Sequence, residues 1–371
     1  MGDPWHIISK RPEIKPVKWR SSNYSLYGDM SRRMYEVLVD VVPQVEPYSI
    51  DEMFLGYRGL TGDLVAFSAD IKRAVRRIAK IPTCIGIGPT KTIAKLANKI
   101  AKKDRGGAGV CDLREASERR QKYTSLGLEE VWGIGPRSLT KLAKVGVQSV
   151  SDFVAMEPDA VRELLTVTGL RTQAELKGIS CISLSEEPFM RKSIAVTRSF
   201  GRLVTSWHEM REAVVSYVTR AGEKMRGHGL QASALQVFMN TNRHSGAPQY
   251  VASRTVEIEP TANTIELISA AVKVAGSLWR PGFKYLKAGV VLVDLYRHQD
   301  SPANMFPSRD PEKSARLMKA MDALNAREGM GTIRPGSMPA SPKWGGRQRN
   351  ISPRYTTRLD EILTARAQHY V

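Results

Sequence analysis

The stretch YSIDEMF sets two adjacent carboxylates, Asp51 and Glu52, at the end of an apolar run. Adjacent strand residues point to opposite faces, so one site can use both acids only where a turn interrupts the pleat. The flanks predict that turn: VEPYSI reads as a strand entering it, and MFLGYRGL as a strand leaving it. Paired carboxylates at a hairpin tip suit a divalent cation, and a centre of two ions calls for a further acid. Asp294, in VVLVDLYR, could pass for that acid, but it lies far along the chain and reads as a strand-end residue.

A second candidate is GIGPTKTIAKLANKIAKK. A buried strand breaks at Gly88-Pro89, and Thr90 can cap a helix that starts at Lys91. Ile93, Leu96, Ala97 and Ile100 line one face of it, while Lys95, Lys99, Lys102 and Lys103 crowd the other. Free amides at a helix N-terminus and a first-turn lysine predict a phosphate site. The alternative is an ordinary capped helix with a solvated basic face; the acidic hairpin just upstream favours the phosphate.

The third candidate is LEEVWGIGPRSLTKLAKVGVQSVSDF, which has the pattern of a helix-hairpin-helix. Gly133 and Gly135 let the backbone approach closely, so the amides around Ile134 can hold a DNA phosphate without reading sequence. A plain pair of helices with a glycine turn is the competing reading, and the spacing to Leu142, Gly146 and Val147 favours the specific one.

The elements that must position these residues follow from periodicity. Of the 371 residues, 42% are hydrophobic, enough for real cores in two or three units. The formal charge of +19 and a pI near 9.9 favour a nucleic-acid partner. Three scattered cysteines (Cys84, Cys111, Cys181) argue against a disulfide framework, and six scattered histidines against zinc. No secretory h-region and no long apolar run occur, so the chain is expected to be cytoplasmic, with no membrane span. Ser22 is the expected cap of a helix through Leu38. DLVAFSADIKRAVRRIAK reads as an amphipathic helix, and residues 81–87 as a buried strand. The fold class is therefore α/β followed by α+β, with residues 113–180 helical and 193–298 rich in strands. The tail from Gln299 holds one helix around SARLMKAMDALNAREG.

In this order the motifs resemble those of the Y-family translesion DNA polymerases, most closely the bacterial UmuC branch. MGDPW, SSNYSLYGDMS, YSIDE, GIGPTKTIAKLANKIAKK, VWGIGPRSLTKL, VTRSFG, WRPGFKYLKAGV, MDALNAREGMGT and SPRYTTRLDEI carry the resemblance along nearly the whole chain. It implies a remnant of the fingers at 1–27 and a palm at 28–112. A thumb with the helix-hairpin-helix follows at 113–180, a linker at 181–192, a little finger at 193–298 and a UmuC-type C-terminal module at 299–371. The implied activity is error-prone synthesis across damaged DNA in the SOS response, with deoxynucleoside triphosphates as substrate and two Mg²⁺ ions.

On the same resemblance Asp51 and Glu52 are catalytic metal ligands, and Thr90 and Lys91 face the triphosphate. Gly133, Ile134, Gly135, Lys141 and Arg198 contact primer–template DNA. A UmuD-type subunit, RecA and the sliding clamp are implied partners; PANMF keeps only Asn304, Met305 and Phe306 of a clamp-binding pentapeptide. The family's third acid sits in an apolar-x-x-Asp-x-Asn-x-Phe-Tyr motif on the palm's first strand, and that motif does not occur here. The palm is therefore expected as a ferredoxin-like sheet lacking its first strand, in a chain that begins late and is inactive alone. The alternative is a non-catalytic DNA-binding remnant of such a polymerase.

Overall fold

The structure, a computed structural model, describes residues 3, 5–14, 16–104, 106–185, 191–300, 310–339, 342, 344–346 and 350–365. Two units divide the chain: Met1–Pro188 together with Asn350–Val371, and Phe189–Arg349.

A single turn, α1 (Trp5–Ile8), precedes α2 (Tyr24–Val39) in the first unit. The side chain of Asn23, not the expected Ser22, caps α2 by accepting the Leu26 amide at 3.3 Å. Two short strands, β1 (Gln44–Pro47) and β2 (Met53–Gly56), pair antiparallel with Pro47 opposite Met53. Asp63 caps α3 (Leu64–Ile78) through the amides of Val65 and Ala66. Met34, Val37 and Leu38 of α2 meet Ile71 and Val75 of α3 in one apolar cluster under the hairpin.

The strand expected at 81–87 is regular only as β3 (Ile85–Ile87), which leads into α4 (Lys91–Lys103) and pairs parallel with β4 (Val110–Asp112). Gly86 lets α4 lie against the strand. A Cβ there would sit 2.1 Å from the Asn98 nitrogen and 2.2 Å from the Ala94 oxygen, both backbone atoms of α4. Among the described residues the two strand pairs remain separate two-stranded sheets. The single ferredoxin-like sheet expected from the sequence is not continuous, because no described segment pairs between β2 and β3.

The helical stretch comprises α5 (Ala116–Tyr123), α6 (Pro136–Lys144), α7 (Val150–Ala155) and α8 (Pro158–Leu176). Helix α8 breaks at Thr166, whose φ of 68° is a strained value for a β-branched residue. Leu128, Leu142, Val150, Phe153 and Leu176 pack with Leu96 of α4, so these helices and α4 share a core.

In the second unit the sheet order is β5-β8-β6-β7, all antiparallel, from β5 (Ser193–Val204), β6 (Leu230–Thr241), β7 (Val251–Thr261) and β8 (Tyr285–Arg297). Helices α9 (Trp207–Arg226) and α10 (Thr264–Leu278) supply Val214, Val218 and Leu267 to a core with Val237, Val290 and Leu292. Asp294 lies inside β8 rather than at its end. It takes a φ of 50°, a left-handed conformation that Asp tolerates better than most residues.

The predicted tail helix is α11 (Pro311–Glu328). It buries Met318, and its Asp322 accepts two hydrogen bonds of 2.7 Å from Arg226. The last segment returns to the first unit, where Ile351 bridges Ser21 and Asn23 donates to the Ser352 carbonyl at 3.1 Å. No described helix is long and apolar enough to cross a membrane.

Gly86→Ala should drive β3 off α4, because both clashing atoms are backbone and cannot rotate away. Such overpacking is expected to cost about 3 kcal/mol and to lower the first unit's melting temperature by about 10 °C. A melting curve unchanged from the parent chain would contradict this seating of α4.

Candidate active site

Tyr48 to Glu52 form the tip between β1 and β2, closed by amides of Tyr48 and Ser49 that donate to the Glu52 carbonyl at 3.0 Å. The turn breaks the pleat as expected. Asp51 is exposed and accepts the Ser49 hydroxyl at 2.7 Å. Glu52 is half-buried and takes the Lys95 ammonium at 2.9 Å. Lys95 lies 4.2 Å from the centre of the Tyr48 ring and 5.4 Å from that of Trp132. The Trp132 indole donates to the Tyr48 hydroxyl at 3.0 Å. The acidic tip is thereby tied to the residue that precedes Gly133.

The N-terminus of α4 is occupied from within the protein. Thr90 accepts the Ile93 amide at 3.2 Å, and its hydroxyl donates to the Glu175 carbonyl at 2.9 Å. The Glu175 carboxylate, fully buried, accepts the Thr92 amide at 3.0 Å. Its other oxygen accepts the amides of Cys181 at 2.6 Å and Ile182 at 3.2 Å. The amides expected to be free for phosphate are thus partly satisfied by this acid. Lys91 is buried too, with its ammonium 2.6 Å and 2.7 Å from the two oxygens of Glu46 on β1.

Asp51, Glu52, Thr90, Lys91 and Lys95 line one cleft of about 1430 Å³. All of β2 and all of β3 contribute to its wall, whereas β1 contributes only Gln44 and β4 nothing. The β1-β2 and β3-β4 sheets have two strands each among the described residues, so the edges of β2 and β3 that carry no described partner strand face this cleft. Among the described residues no group of three His, Cys, Asp or Glu side chains could hold a metal. One Mg²⁺ held by one or two carboxylates and substrate phosphates fits the tip. A pair of ions lacks its third carboxylate there.

In the stretch expected as a helix-hairpin-helix, Gly133 and Gly135 stand in the turn before α6. Gly133 has a φ of +93°, which favours glycine, and Gly135 caps α6 with no side-chain partner. The element before the turn is one 3-10 turn, Leu128–Glu130, rather than a full helix. Among the described residues the amides of Gly133 and Gly135 donate to no acceptor, and Ile134 is buried in the helical core. Lys141 is committed internally: it donates at 2.9 Å to the Leu164 carbonyl. Lys103 and Lys99 of α4 meet Glu130 at 2.5 Å and 3.6 Å, and the Lys103 hydrogen bond holds that carboxyl below its usual range.

Arg198 lies in the second unit on the edge strand β5, exposed. It shares strand parity with Ile194, Val196 and Phe200, which are core residues, so it belongs to the helix-covered side of the sheet. The opposite face carries Thr197, Ser199, Gln236, Asn240 and Lys287 by the same register. Asn304, Met305 and Phe306 lie outside the described residues.

Sequence reasoning missed Glu46, Glu175 and Trp132. Glu46 carries a weak signal, an acid between apolar neighbours on a strand whose partner bears the metal candidates. Glu175 and Trp132 carry none, because their partners are distant in sequence. Glu175→Ala would strand three amides and is expected to cost about 3 kcal/mol. A urea titration should show the lost midpoint at an unchanged slope; an unshifted midpoint would mean that the carboxylate does not hold the helix.

Residues 1–99 match the impB/mucB/samB family, residues 191–305 the impB/mucB/samB family C-terminal domain, and residues 315–365 a domain of unknown function, DUF4113. Over 368 residues the chain is 37% identical to Protein UmuC of Salmonella typhimurium, covering 98% of this chain and 87% of that protein. Protein SamB of Salmonella typhimurium is 36% identical over 99% of this chain and 88% of its own length. Protein MucB of Escherichia coli is 33% identical over 96% and 86%. A Y-family DNA polymerase chimera of Dbh and Dpo4 shares the fold with a TM-score of 0.60 at 17% identity, over 73% of this chain and 77% of that one. A Dbh ternary complex gives 0.51 at 17% identity, over 79% and 84%. The chain belongs to the UmuC, SamB, ImpB and MucB family of Y-family DNA polymerases.

Proposed function

We propose that the protein serves error-prone, template-directed synthesis across damaged DNA, and that the cleft of the first unit is its nucleotide site. The observation that carries this is the meeting of the acidic tip and the Lys91 end of α4 on one cleft wall. In this reading residues 28–112 are the palm, 113–180 the thumb and 193–298 the little finger. Residues 1–27 belong to the fingers, 181–192 link thumb to little finger, and 299–371 form the C-terminal module.

Asp51 is the ligand free to take a cation, since its partner is only a neutral hydroxyl. Glu52 can join it once Lys95 turns to the anion. Lys91 and Thr90 hold and orient the triphosphate, while the tip's aromatic residues keep one wall of the cleft dry. Bound Mg²⁺ would lower the charge repulsion between the primer hydroxyl and the phosphate. Primer–template DNA is held by the amides of Gly133 and Gly135, which have no acceptor among the described residues, and by the basic surface. A UmuD-type subunit, RecA and the sliding clamp are further partners on this reading.

A second reading, DNA binding without polymerisation, is favoured by the absence of a three-acid group among the described residues. For a polypeptide of these 371 residues alone, primer extension with Mg²⁺ or Mn²⁺ is expected to be undetectable. Extension that Asp51→Ala abolishes would instead reveal a complete site within them.

The same polypeptide should bind primer–template DNA without sequence preference. Each neutralised phosphate contributes about −0.9 to the slope of log K against log salt, so several contacts give a steep line. Gly135→Pro, at a φ of −96° close to proline's own range, removes one turn amide and should weaken binding severalfold with little change in slope. Salt-independent binding would contradict the proposed mode of DNA recognition.

A further inference from the structure

The cation proposed to meet the triphosphate already has an anion. Both oxygens of Glu46 lie within 2.7 Å of the Lys91 ammonium, and the two side chains are only 18% and 8% exposed. The Phe54 ring, 4.9 Å away, covers another side of the ammonium. A triphosphate brought to Lys91 would place its charge beside the Glu46 carboxylate, with one lysine between two anions and little water to screen them. Like charges in such a setting repel strongly.

The arrangement of the neighbouring backbone gives Glu46 somewhere to let go from. The segment after α8 is pinned to the cleft by two acids: Glu175 takes the amides of Cys181 and Ile182, and Glu46 takes that of Ser185 at 2.6 Å. Ser180, Ile182, Ser183 and Leu184 line the cleft. Glu175 also serves the N-terminus of α4 and must stay. Glu46 holds Lys91 and the Ser185 amide, and no described contact ties it to α4's N-terminal amides.

We infer that Glu46 is an internal competitor for Lys91, and that a polyphosphate binds by taking the lysine from it. Glu46 is then a specificity-determining residue. An anion of low charge cannot displace it, whereas a triphosphate can. This rests on reading Lys91 as a triphosphate ligand.

The test uses the full chain and sodium tripolyphosphate without divalent ions, followed by calorimetry. Diffuse binding to the basic surface is the part that survives Lys91→Met, so the Lys91-dependent part is read by difference. Glu46→Gln keeps the shape and an acceptor for the Ser185 amide but gives up the charge, and it should tighten the Lys91-dependent binding about tenfold, equivalent to about 1.4 kcal/mol. Equal binding by the parent and Lys91→Met would overturn the triphosphate reading and this inference with it. Lys91-dependent binding that Glu46→Gln leaves unchanged or weakens would overturn the inference alone. Should Glu46→Gln fail to fold, the parent and Lys91→Met decide with inorganic phosphate. Its Lys91-dependent binding should be undetectable, and Lys91-dependent binding as tight as that of tripolyphosphate would overturn the competition by Glu46.

Discussion

The carboxylate of Glu175 accepts amides from two segments that are far apart in sequence, the first turn of α4 and the strand-like stretch after α8. It does so fully buried, where an unpaired charge would be costly and where each charge-assisted hydrogen bond is correspondingly strong. The negative charge also faces the positive end of the α4 dipole. Helix α4 is fixed at this end by Glu175 and along its length by the bare backbone of Gly86. Lys91 and Lys95 depend on that fixation, and through them so do Glu46, Glu52 and the acidic tip.

Three lysines of α4 are paired with acids of other elements. Lys91 pairs with Glu46, Lys95 with Glu52, and Lys103 with Glu130. A chain of formal charge +19 thus neutralises Lys91 and Lys95 of its candidate nucleotide site. Such pairing keeps a partly buried cluster of lysines compatible with folding, because each ammonium is matched before any ligand arrives. The ligand must then exchange partners rather than fill a void. Trp132 extends the same network to the glycine turn through Tyr48, which joins the element proposed to hold DNA to the element proposed to hold the cation.

Local chemistry was legible in the sequence where it depends on neighbours along the chain. Asp51 and Glu52 announce a turn because two adjacent acids cannot share a face of a regular strand, and the structure has them at a hairpin tip. Thr90 announces a helix start, and the cap is there. What escaped was set by packing between distant segments. Glu46 and Glu175 become ligands of Lys91 and Thr92 only when β1 and α8 meet α4. Arg198 was expected at the DNA on the resemblance, and only the register of β5 against β8 assigns it to the helix-covered side of the sheet. The break at Thr166 and the internal commitment of Lys141 likewise follow from tertiary contacts that periodicity does not encode.

The central claim is that a cation and a triphosphate meet between the hairpin tip and the start of α4. Replacing Mg²⁺ by Fe²⁺ and adding ascorbate cleaves a backbone only where the metal sits, and mass spectrometry of the fragments locates the cuts. With a deoxynucleoside triphosphate present, the account predicts cleavage concentrated between Tyr48 and Met53 and between Pro89 and Thr92, and lost in Asp51→Ala. Cuts elsewhere in the chain, or cuts at the tip that Asp51→Ala leaves in place, would contradict it.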